Sequence, residues 1–65
     1  MCEANVFVVR DGESSLIMEN VVSVRPEGNT ILLVDLFGEQ KIITARIERV
    51  DLLKHEITLS TGESE

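Results

Sequence analysis

Aromatic residues are almost absent: Phe7 and Phe37 are the only two, and there is no Trp or Tyr. Single-stranded bases therefore have no stacking platform. Basic residues are also scarce, six against twelve acidic, for a formal net charge of −6. Phosphate backbones are held by concentrated basic surface that displaces counterions, so nucleic acid is not an expected partner. Arg25, Arg46 and Arg49 read as solvated strand positions, the last two paired with Glu48 and Asp51. One His and one Cys leave no Ser-His-Asp set, and no Gly-rich phosphate loop or Cys-x-x-Cys is present. These gaps predict a protein that is not an enzyme. No apolar run reaches the length of a membrane span. Glu3 also stands where a signal peptide would build its apolar stretch. With a single unpaired cysteine suited to a reducing compartment, a cytoplasmic protein is expected.

That single cysteine also excludes an internal disulfide. A chain of 65 residues has room for one domain, residues 1–65, with a small core. The stabilising devices left to it are a bound metal or a second chain, and a homodimer is the expectation.

The chain is rich in Val, Ile and Leu, in short runs separated by turn signals, the pattern of an all-β fold. Ala4 to Arg10 reads as a first strand, with Val6 and Val8 on one face and Phe7 and Val9 on the other. Asp11-Gly12 reverses it, since both residues tolerate positive φ. Ser14 to Met18 and Val21 to Arg25 read as two further strands, the second ended by Pro26. Thr30 to Leu36 reads as a largely buried strand, turned at Gly38 into Lys41 to Thr44. In Arg46 to Leu52 strict alternation fails, so a bulge or single helical turn is predicted near Glu48 and Arg49. Lys54-His55 makes the last reversal, Glu56 to Ser60 presents Ile57 and Leu59 inward, and the polar tail from Thr61 is expected to fray. Six or seven short strands in so short a chain predict a small SH3-like or HypC-like β-barrel, because a flat sheet would leave two long edges. Phe7 and Val9 would then be free to cover an interface.

Chemistry concentrates at the chain start. The Cys2 thiolate lies beside amine and amide nitrogens, a donor set suited to square-planar Ni(II) or Cu(II). With Met1 retained, its amine, the Cys2 amide nitrogen and the thiolate give three in-plane donors, and Glu3, water or another chain supplies the fourth. With Met1 removed, two Cys2 residues from two chains complete an N2S2 plane. Zinc fits less well, since it prefers tetrahedral sites with several Cys or His ligands. His55 reads as a surface turn residue and Met18 as a core residue rather than as ligands.

Met1-Cys2-Glu3-Ala4-Asn5-Val6 resembles the Met-Cys-x-Ala-x-Val opening of the CooT family of nickel-binding accessory proteins of carbon monoxide dehydrogenase. Asp35-Leu36-Phe37-Gly38-Glu39 is similar to that family's central segment. Arg49-Val50-Asp51-Leu52 with Ile57-Thr58-Leu59 is similar to its closing strands. The resemblance implies a small β-barrel homodimer that binds one Ni(II) per dimer through Cys2, with Met1 and Glu3 as positional candidates. It further implies support of nickel insertion into carbon monoxide dehydrogenase, alone or with its maturation proteins. HypC hydrogenase chaperones also begin Met-Cys, but the proline and glycine that usually follow in them are missing here. The competing expectation is a metal-free β-barrel interaction module with an acidic, partly apolar surface.

Overall fold

The computed structural model describes residues 3–61. Met1, Cys2 and the tail residues 62–65, for which composition predicts fraying, lie outside these. Within the described residues the regular structure is all β: β1 (Ala4–Arg10), β2 (Glu13–Glu27), β3 (Thr30–Asp35), β4 (Gln40–Thr44), β5 (Arg46–Asp51) and β6 (Glu56–Ser60). The six strands form one mixed sheet in the order β4-β3-β2-β1-β6-β5. Only β1 and β6 run parallel; the other pairs are antiparallel.

The turn chemistry explains the first hairpin. Asp11 and Gly12 take φ of 53° and 80°, the paired positive values of a two-residue turn whose twist matches the flanking strands. The two strands expected at Ser14–Met18 and Val21–Arg25 are instead one 15-residue strand, β2. Asn20 joins them at φ 57°, a conformation that asparagine tolerates better than most residues, so the chain bends there without reversing. Two irregularities of register in the β1–β2 pair, flanking Val6, place extra residues on β2 and deepen the bend. Pro26 does not end the strand: it pairs with Ile31, and Glu27 with Thr30, before Gly28 turns the chain. Its missing N–H is tolerated so near a strand end. The strand expected to reach Leu36 stops at Asp35, leaving Leu36 in the following turn. The bulge predicted near Glu48 and Arg49 is present as a register shift between Ile47 and Arg49.

Burial follows the pleat. Val6, Met18, Val21, Ile31, Leu33 and Leu59 form the buried core, flanked by Val8, Ile17, Val24, Ile43, Ala45 and Ile57. In β3, Ile31, Leu33 and Asp35 point inward while Leu32 and Val34 are half-buried. Thr61, counted by composition with the tail, donates its N–H to the Val9 carbonyl at 3.3 Å.

One residue shapes the whole sheet. Ala45 alone separates β4 from β5, yet these are the two ends of the strand order. Five strand spacings in a flat sheet would part them by about 24 Å. Two peptide links reach only about 7 Å. The sheet therefore curls until its end strands meet at Ala45, which packs against the core.

With so few fully buried side chains, each carries a large share of stability. Leu59 is fully buried, and Leu59→Ala is expected to cost about 2–5 kcal/mol, enough to unfold most molecules of so small a domain. Urea denaturation followed by far-UV circular dichroism checks this; a loss below about 1 kcal/mol would contradict the assigned core.

Candidate metal centre

Of the three candidate ligands, Glu3 is described and half-buried, immediately before β1; Met1 and Cys2 lie outside the described residues. What the structure fixes is the point from which they depart. Ala4 pairs with Val21 on one side of β1, and Asn5 pairs with Glu56 on the other. The Asn5 N–H also donates to the His55 carbonyl at 2.9 Å. The start of β1 is thus clamped between β2 and the β5–β6 turn.

The registers carry this end across the sheet. Val21 pairs on its other side with Asp35, Leu36 N–H donates to the Asn20 carbonyl at 2.8 Å, and Asp51 pairs with Glu56. The start of β1, the β3–β4 turn and the β5–β6 turn therefore share one rim. Both turns are built the same way, by an aspartate at the end of a strand. Asp35, buried, accepts at Oδ1 from the N–H groups of Phe37 at 2.9 Å and Glu39 at 2.8 Å. Asp51 accepts at Oδ1 from the Lys54 N–H at 3.1 Å, while its Oδ2 meets the exposed Arg49 guanidinium at 3.4 Å. Screened by water, that ion pair contributes little; the turn bond is the structural one. Short polar side chains that satisfy turn amides in this way let the intervening residues point outward.

Those outward residues are apolar. Phe37 is 81% exposed, Leu52 81% and Leu53 95%, with Leu36 and Val22 more than half exposed nearby. Scattered exposed leucines mean little, but a cluster at one end of a small acidic chain marks a contact surface. A second apolar feature lies on β5. Val50 is in register with Ile57, and Ile57 with the buried Val6; Ile47 is in register with the buried Leu59. Ile47 and Val50 thus stand on the core face, yet they are 41% and 50% exposed. Among the described residues nothing fully covers that stretch of core face.

His55 is an exposed turn residue at φ 56°, and Met18 belongs to the core, as sequence patterning indicates. Among the described residues no group of three or more His, Cys, Asp and Glu side chains is placed to hold a metal. Patterning read Asp51 as a partner of the strand arginines, which the Arg49 contact bears out, but did not single out the turn bonds of Asp35 and Asp51 or the exposed leucines. The signal available was apolar pairs, Leu36-Phe37 and Leu52-Leu53, inside segments where turns are ordinarily polar. No helix among the described residues is long and apolar enough to cross a membrane.

With this geometry established, comparison with known proteins is informative. The family model for the CO dehydrogenase accessory protein CooT matches residues 1–60. An uncharacterized protein of Methanocaldococcus jannaschii is 35% identical over 57 residues, 88% of this chain and 93% of that protein. Another, from Methanothermobacter thermautotrophicus, is 32% identical over 63 residues, 97% of this chain and 94% of that one. A crystal structure of a protein assigned as CooT from Carboxydothermus hydrogenoformans superposes with a TM-score of 0.86 at 35% identity, covering 95% of this chain and all of that one.

The rim's dependence on Asp35 is directly testable. Asp35→Ala strands two turn amides and is expected to destabilise the fold by about 1–3 kcal/mol, with faster amide exchange at Phe37 and Glu39. Asp35→Asn, which keeps the acceptor oxygen, should recover most of the loss. Equal losses in both variants would show that the turn does not rest on this oxygen.

Proposed function

The chain belongs to the CooT family of CO dehydrogenase accessory proteins, a non-catalytic maturation family, and from that premise we propose that it binds Ni(II) through Cys2 for delivery to carbon monoxide dehydrogenase. The observation that carries this reading is the anchorage of β1. Ala4 and Asn5 are held by β2, β6 and the His55 carbonyl, so a ligand at position 2 precedes an anchored strand by only two residues. Metal ligands on short tethers lose less entropy when they converge. The thiolate supplies the soft donor, and metal binding itself favours the deprotonated form. The Met1 amine and Cys2 amide nitrogen, or a second Cys2 after loss of Met1, complete the plane, with Glu3 as a further oxygen donor. Nickel is here the cargo, held at an outer rim where an acceptor site can approach.

Two copies of the chain form the working unit in this reading. Ile47 and Val50, half exposed on the core face, and Leu52 and Leu53 beyond them supply the apolar surface that a partner copy would cover. The same contact brings two chain starts toward each other. In this reading the curled sheet closes as a small SH3-like barrel, with residues 1–65 as one domain. A free thiol ligand also suits the reducing cytoplasm.

Native mass spectrometry with and without Ni(II) tests the metal. One nickel per dimer, lost in Cys2→Ser, is the expected result; no specific adduct at near-stoichiometric nickel would overturn it and leave a metal-free interaction module. Size-exclusion chromatography with light scattering tests the dimer. Because both side chains are largely exposed, the double change Leu52→Asp, Leu53→Asp should yield a folded monomer. A dimer that persists with both aspartates would assign the contact elsewhere.

A further inference from the structure

The bend in β2 leaves a backbone edge open. Strand pairing with β3 begins at Val21, and the Asn20 carbonyl is taken by the Leu36 N–H; before Asn20, among the described residues, β2 is paired only on its β1 side. Five consecutive residues of this stretch, Leu16 to Asn20, line one wall of an open groove of about 660 Å³. Phe37 of the β3–β4 turn and Glu39 to Lys41 at the start of β4 line the other wall. Bulged against β1, Leu16 to Glu19 still have no strand partner on the groove side among the described residues, and such an unpaired edge is the template for an added strand. Five residues of strand span roughly 17 Å. That length accepts a short extended segment, and the openness of the groove gives a small molecule little enclosure.

We propose that this groove docks an extended segment of a partner protein, alternating apolar residues with Lys or Arg, by strand addition to β2. Leu16, at 47% exposure, and Phe37, at 81%, offer apolar contacts for one face of such a segment. Charge selects the other face. Glu19 and Glu39 are exposed at the groove against the single cation Lys41, on a chain of formal charge −6. A second copy pairing β2 against β2 would bring its own Glu13 and Glu19 into the same acidic groove, and like charges across a strand pair are destabilising. A basic segment from a different protein meets the opposite field. This inference needs neither Cys2 nor a metal, so it stands or falls apart from the nickel reading.

The test is an NMR titration of ¹⁵N-labelled protein, in chelator, with two short capped peptides, one alternating Val and Lys and the other Val and Glu. Saturable shifts confined to Leu16–Asn20 and Glu39–Lys41, slowed exchange of β2 amides, and binding of the Lys peptide about tenfold tighter at low salt are expected. The double change Glu19→Lys, Glu39→Lys, at exposed positions, should reverse the preference. The proposal is overturned by shifts centred on Leu52–His55, by equal binding of both peptides, or by no saturable binding. Concentration-dependent shifts of the groove amides without peptide would assign the groove to a second copy and overturn it equally.

Discussion

The architecture depends on the bend of β2 at Asn20. A straight 15-residue strand would run some 50 Å, well beyond the 35 Å of the molecule's longest dimension. Bent, it serves two sheets' worth of partners: β1 along its first half and β3 along its second. Val21, just past the bend, is then flanked by Ala4 and Asp35, which brings the start of β1 and the β3–β4 turn to one rim. The same bend parts the first half of β2 from β3 and opens the groove beside Leu16 to Asn20. Rim and groove are consequences of one backbone conformation at one residue.

A core this small limits what the rest of the chain can do. The fully buried side chains Val6, Ile31, Leu33 and Leu59 come from β1, β3 and β6. The apolar residues of β5 share their rows yet remain half exposed. In the proposed dimer, a second copy would cover that face. Burying the face between copies would serve stability and function together, since the start of β1 lies on the adjoining rim. The acidic surface acts in the opposite sense at the groove, where it disfavours self-association and favours a basic partner.

Much of the fold was legible because β structure writes itself at short range. Alternation in Ala4–Arg10, the Asp11-Gly12 turn, the reversal at Gly38 and the lapse of alternation around Glu48 each have a local cause, and each has its counterpart in the structure. The failures were also local in cause. Asn20 looks like a turn residue whether it reverses a strand or bends it, because positive φ is common to both; only the partners of the flanking residues decide. Pro26 carries no mark of which side its missing N–H would have faced. Asp35 and Asp51 are unremarkable acidic residues until their carboxylates meet the turn amides two to four positions on.

By itself, the sequence determined the all-β class, most strand positions and the single thiol at Cys2, because strand periodicity, turn propensity and side-chain chemistry are properties of neighbouring residues. Its motifs, read in order, also pointed to the family. Tertiary structure decided the rest: that two expected strands are one, that β1 lies parallel to β6, and that the start of β1 shares a rim with Leu36-Phe37 and Leu52-Leu53. It also decided that five residues of β2 face a groove. These depend on pairings between residues far apart in the chain, and no local pattern fixes which strand will lie beside which.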